Sequence, residues 1–226
     1  MSLARRLVAE AVGTTALLAT VVGSGIMGTQ LAAGNDAIAL LANAAATAGL
    51  LYVAIVVLGP LSGAHFNPAV TLAMRLRGEL DTRATLAYVG VQCVAATAGV
   101  VLAHAMFDLP LLQPGTHART GAAQWLSEAV ATCGLLLTIL LGLRARPAAL
   151  PALVAAYIFA AYWFTASTSF ANPAVTLARA LTQTFAGIRP VDAPGFIVAQ
   201  LAGTALALAL ALANLLLDRR PHDTAA

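Results

Sequence analysis

The heptapeptide Asn67-Pro68-Ala69-Val70-Thr71-Leu72-Ala73 returns letter for letter as Asn172-Pro173-Ala174-Val175-Thr176-Leu177-Ala178. Asn followed by Pro is a helix start: Asn caps the first turn, and Pro fills a position whose N–H would be unpaired anyway. Each copy opens a short apolar piece, Asn67–Leu76 or Asn172–Leu181. Such a piece cannot cross the ~30 Å hydrocarbon core at about 1.5 Å per residue, so both read as re-entrant half-helices. Two further echoes extend the repeat to the whole chain. Glu10-Ala11-Val12-Gly13-Thr14 matches Glu128-Ala129-Val130-Ala131-Thr132 at four of five positions, and Gln92 pairs with Gln200.

Composition says where such a repeat resides. Of 226 residues, 60% are apolar and 9% charged, against about 45–50% and about 25% in soluble domains. That excludes soluble, disordered and nucleic-acid-binding readings. Apolar stretches at Leu7–Met27, Ala37–Gly59, Ala84–Met106, Ala122–Leu143, Leu150–Thr165 and Gly195–Leu217 supply six crossings, the fifth being the shortest. The run after Arg5-Arg6 contains Glu10 and lacks a small-x-small cleavage site, so it is expected to be an uncleaved first span. Cys93 and Cys133 sit inside apolar stretches and read as small packing residues. The expected fold is an all-α membrane protein of six transmembrane helices plus two re-entrant half-helices. It forms one transmembrane channel domain over 1–226, with a first repeat at about 1–108 and a second at about 120–226.

Three spans per repeat is an odd number, so the two copies insert with opposite orientation. All twelve basic residues are arginine. Six crossings put Arg5, Arg6, Arg75, Arg77, Arg83, Arg144, Arg146, Arg219 and Arg220 on one side and Arg119, Arg179 and Arg189 on the other. By the positive-inside rule both termini are cytoplasmic. The alanine-rich, lysine-free composition suits a GC-rich bacterial genome, hence a bacterial plasma membrane.

Inversion brings the two Asn-Pro starts together at mid-depth, with the positive ends of both helix dipoles facing a common cavity. Irregular backbone is tolerated there only where protein or water surrounds it. Amide donors from Asn67 and Asn172 would hold a passing oxygen by its lone pairs. The positive potential opposes cations, and an apolar wall excludes anions by desolvation. A path for small uncharged hydroxylated molecules, water included, is the expected result.

Ser62-Gly63-Ala64-His65-Phe66-Asn67-Pro68-Ala69-Val70, the second Asn172-Pro173-Ala174, and Glu10 with Glu128 together resemble the aquaporin or major intrinsic protein family. The resemblance covers essentially the whole chain. It implies a homotetramer with one pore per subunit and passive transport in a lipid bilayer, without cofactor or metal. Glu10 and Glu128 become buried acceptors bracing the re-entrant loops, rather than a proton-relay pair. His65, with Phe66, flanks the cytoplasmic half of the pore or braces its loop.

The chain departs from the family pattern at the selectivity filter. Water- and glycerol-conducting members usually place Arg directly after the second Asn-Pro-Ala, where this chain has Val175, and Thr176 stands where glycerol conductors often have Asp. Arg179, one turn further on, is expected in the half-helix packing rather than at the constriction. Counting from the two Asn residues, the resemblance implies Thr47, Ala160 and Ser169 as the other filter positions. The stretch Thr165–Ala171 is long by one or two residues, which makes Phe159 or Ile158 alternatives to Ala160. A wide filter with few donors follows, unless Phe159 or Phe170 closes it. Such a filter favours metalloid hydroxides such as arsenite, or glycerol, alongside water; a water-selective channel is the alternative. An ion channel would need charged or carbonyl-rich filter residues, and a secondary transporter an ion-pair chain. Neither pattern is present, and no nucleotide-binding Gly-rich motif or nucleophile triad argues for an enzyme.

Overall fold

The computed structural model describes residues 1–218, with side chains described as far as Asn214. Those residues form helices joined by irregular loops, and no strand occurs among them. The helices are α1 (Leu3–Leu31), α2 (Asp36–Ser62), α3 (Pro68–Leu76), α4 (Thr82–Met106), α5 (Ala122–Ala145), α6 (Leu150–Phe164), α7 (Pro173–Arg179) and α8 (Ala193–Asp218). Short 3-10 turns, Pro147–Ala149 and Pro190–Asp192, precede α6 and α8. Arg219 and Arg220 lie outside the described residues, as does the end of the second repeat.

Six of these helices are long and apolar enough to cross a bilayer. They outrun the apolar stretches because polar caps extend them. Ser2 accepts from Arg5 N, Asn35 from Ala37 N and Ile38 N, and Asp81 from Ala84 N. The fifth crossing reaches 18 residues only when the turn Pro147–Ala149 is added to α6. The half-helices α3 and α7 each begin at proline, with Asn67 and Asn172 as N-caps. The second stops at Arg179 rather than Leu181, because Ala180 N and Leu181 N turn back to the carbonyls of Leu177 and Ala178.

Within the first half α1 packs against α2 and α4; within the second α5 packs against α6 and α8; α2 and α6 close the seam between halves. Small residues set the spacing. A Cβ at Gly99 of α4 would collide with the Thr15 carbonyl of α1, and one at Gly203 of α8 with the Ala129 carbonyl of α5. Apolar side chains gain little from leaving lipid, so close backbone approach of this kind carries much of the helix association. The outer faces stay apolar: Val8, Val53, Leu86, Val94, Leu126 and Val198 are among the exposed residues.

Candidate functional site

The two half-helices meet at their capped ends. Asn67 Oδ1 accepts from Ala69 N at 2.9 Å, and Asn172 Oδ1 from Ala174 N at 3.0 Å and Val175 N at 3.2 Å. Their amide groups reach across the seam: Asn67 Nδ2 donates to the Ala171 carbonyl and Asn172 Nδ2 to the Phe66 carbonyl, both at 2.8 Å. An Asn amide has two N–H donors, so one on each side chain remains for whatever occupies the cavity both residues line.

The loops before the two Asn residues share one backbone. Gly63, Ala64 and Phe66 have φ of 90°, 50° and 48°; Thr168, Ser169 and Ala171 have 60°, 51° and 48°. Five of the six are non-glycine residues in the left-handed region, a conformation that persists only when its surroundings hold it. Two buried carboxylates do so. Glu10 accepts from His65 N at 2.9 Å, Phe66 N at 2.7 Å, Ser62 Oγ at 2.7 Å and Gln92 Nε2 at 2.8 Å. Glu128 accepts from Phe170 N at 2.8 Å, Ala171 N at 2.9 Å and Gln200 Nε2 at 2.6 Å. Gln92 and Gln200 also donate to Thr71 and Thr176, one turn inside each half-helix. Neither glutamate lines the cavity.

That cavity, about 190 Å³, is bounded by stripes spaced four residues apart: Thr47, Leu51 and Ile55 on α2, Leu135, Ile139 and Leu143 on α5, Val154, Ile158 and Tyr162 on α6. The α6 stripe shows which residues of that helix face the cavity. Ala160 stands about 200° around the helix from Ile158; it is exposed on the outer face and does not line the cavity. Phe159 packs against the core instead of the cavity. Ile158 faces it, and the residue at the level of Thr47 is Tyr162, whose hydroxyl donates to Thr47 Oγ1 at 3.4 Å. Counting by family spacing missed Tyr162; the four-residue stripe running from Ile158 was the signal that could have found it.

Thr47, Ser169 and Val175 line the cavity as well, and Ser169 Oγ is buried with no hydrogen-bond partner. His65 reaches it from the other loop, its Nδ1 3.1 Å from Thr71 Oγ1 and its ring against Tyr88, which is itself bonded to Arg6 and the Ser62 carbonyl. The Phe66 ring lies against the bare Gly13 of α1.

Arg179 is placed differently from the expectation. It lines the cavity, with its guanidinium 3.4 Å from the centroid of the Phe170 ring and Nε bonded to the Ala186 carbonyl. The reason is helical: Arg179 is four residues beyond Val175, so both share the cavity face of α7. A second guanidinium, Arg119, stands 5.1 Å from the same ring. The loop between α4 and α5 delivers it, tied down by Gln113 N and Gly115 N donating to the Leu181 and Ala180 carbonyls and by Arg119 N donating to Asp192. The Arg119 side chain donates to the carbonyls of Gly187, Ser167 and Phe185. Burial pulls it down to about 10, so it stays charged at neutral pH. Sequence reasoning used Arg119 only for orientation, and nothing in the pattern of its loop pointed to this position. The end of the cavity near Phe170 therefore carries a guanidinium, Arg179, that a filter of Thr47, Ala160, Ser169 and Val175 lacks.

Comparison with known proteins agrees with this architecture. Residues 1–160 match the family Major intrinsic protein. The chain is 60% identical over 208 residues to Aquaglyceroporin AqpS of Rhizobium meliloti (strain 1021), covering 92% of this chain and 89% of that protein. It is 32% identical over 121 residues to Aquaporin NIP6-1 of Arabidopsis thaliana, covering 53% of this chain and 38% of the relative. In fold it is similar to the X-ray structure of the aquaglyceroporin from Plasmodium falciparum, with a TM-score of 0.72 at 17% identity over 93% of this chain and 95% of that one.

Proposed function

The chain belongs to the major intrinsic protein family, a family of membrane channels, and on that premise we propose that it is a passive path for small neutral solutes, centred on Asn67 and Asn172. The observation that carries the reading is the crossed amide pair. Each Asn spends one N–H on the opposite half's carbonyl and keeps one for an oxygen in transit. Both half-helix N-termini point their positive ends at that same spot and oppose cations. The long apolar stripes on α2, α5 and α6 strip water from an anion without replacing it. A neutral molecule with acceptor oxygens loses least.

Glu10 and Glu128 act as braces in this reading. Each accepts two consecutive amides, turning that loop's carbonyls toward the opposite Asn. Small residues at Thr47, Ser169 and Val175 leave room for solutes larger than water. Glycerol, in keeping with the name of the R. meliloti relative, and neutral metalloid hydroxides such as arsenite form the substrate class. The apolar outer faces suit lipid and further copies of the chain in a homotetramer. Arg119, Arg179 and Arg189 gather at the end away from Arg6 and Arg75, which matches cytoplasmic termini.

Stopped-flow light scattering on liposomes carrying the full chain tests this. Water, glycerol and arsenite should all cross faster than in empty liposomes, with no current in a planar bilayer. Water flux without solute flux would leave a water-selective channel instead.

A further inference from the structure

Arg179 is 2% exposed, yet among the described residues its guanidinium makes a single hydrogen bond to protein, from Nε to the Ala186 carbonyl. Its two terminal nitrogens have no protein acceptor, and no carboxylate lies within ion-pair distance of it among the described residues. Stranding such a group is costly unless something else takes its N–H bonds. Stacking on Phe170 fixes the plane of the fork. Nearby in the chain, Ser169 Oγ also lacks a partner, and both residues line the one cavity.

We propose that Arg179 is the specificity-determining residue of the outer half of the path, offering its free nitrogens to two oxygens of one solute. Ser169 then receives or donates the third hydrogen bond. The inference rests on the channel reading above and names its solute class: compact neutral molecules with two oxygens on the same or adjacent atoms. A planar fork matches two adjacent oxygens; a single hydroxyl, or two held far apart, uses only half of it. Charge alone does not give this preference, and that separates Arg from Lys at the site. Arg119, behind the same ring and saturated by carbonyls, is a positioning residue that keeps Phe170 and its loop in place.

The test uses two isomers of one composition, propylene glycol with adjacent hydroxyls and trimethylene glycol with hydroxyls at opposite ends. Their permeabilities are measured in liposomes carrying wild-type protein, Arg179→Lys or Arg179→Gln, with water permeability recorded on each sample and empty liposomes subtracted. Wild type should pass propylene glycol about tenfold faster than its isomer, the low end of what one charged hydrogen bond contributes. The ratio should fall to near one in both variants. An unchanged ratio in Arg179→Lys and Arg179→Gln overturns the proposal. So does loss of water permeability in both, which would make the arginine a brace for its loop. Wild-type vesicles no more permeable than empty ones to water and both glycols would sink the channel reading itself, and this inference with it.

Discussion

The two Asn-Pro loops share a skeleton and differ in what they show the cavity. Glu10 and Glu128, Gln92 and Gln200, Thr71 and Thr176, and three left-handed residues before each Asn are the same in both halves. At matching positions, His65 of the first loop answers to Phe170 of the second, and Met74 of α3 to Arg179 of α7; all four line the cavity. The two copies keep the parts that hold the backbone, together with Asn67/Asn172 and Val70/Val175 on the cavity, and differ at other positions that line it. One end consequently shows the cavity an imidazole and, past α3, the Glu79 carboxylate, and the other carries two buried guanidiniums around an aromatic ring.

The largest effect should come from the shared skeleton. Glu10→Ala or Glu128→Ala strands two loop amides, at about 2 kcal/mol for each, and should abolish a monodisperse folded peak or sharply lower the melting point in detergent. The two losses should be alike; tolerance of one alone would break the equivalence of the loops. Next, Asn67→Ala and Asn172→Ala each remove a cap, about 1 kcal/mol, together with one bond across the seam. Both should reduce solute flux in the liposome assay, and a mutant of either that conducts normally would argue against the amide pair as the centre. Smaller still, Val175→Arg places a second guanidinium beside Arg179, and glycerol and arsenite permeability should drop several-fold more than water permeability. Unchanged solute selectivity would remove Val175 from the narrowing.

The smallest effect tests the outer loops. Arg189 holds the Asp192 carboxyl below the usual range, by hydrogen bonds from Nε and Nη2. A carboxyl depressed in the fold adds stability above its unfolded value, about 3.9, and loses it as pH falls through the lower folded value. Arg189 is solvent-exposed, so screening keeps the gain small. Asp192→Asn should flatten the decline of the melting point between about pH 5 and pH 3. An unaltered slope would show that this pair contributes nothing.

What could be read from sequence follows from which physics is local. Six spans and two half-helices are written in the length of apolar runs and in Asn-Pro, both of which act over a few residues. Glu10 and Glu128 were legible as a pair because the repeat marks them. Which residues of α6 face the cavity was not: counting by family spacing gives Ala160, while the face 154–158–162 is the one that lines it. Arg179 is one turn beyond Val175 and able to share its face; sequence alone favours the half-helix packing, and the structure puts it on the cavity face with Val175. Arg119 arrives on an irregular loop whose path is set by bonds to the Leu181 and Ala180 carbonyls and to Asp192, none of them periodic. Left-handed backbone at Phe66 and Ala171 runs against residue preference, and the buried carboxylates that accept from their amides hold it.

Glycerol-driven re-swelling of liposomes, followed by stopped-flow light scattering, probes the central proposal most directly. Vesicles carrying the wild-type chain should re-swell much faster than empty ones, with a rate that rises linearly with the glycerol gradient and no accompanying current. Re-swelling at the rate of empty vesicles, or a rate that saturates and needs an ion gradient, would mean that the crossed asparagines do not mark an open path for neutral solutes.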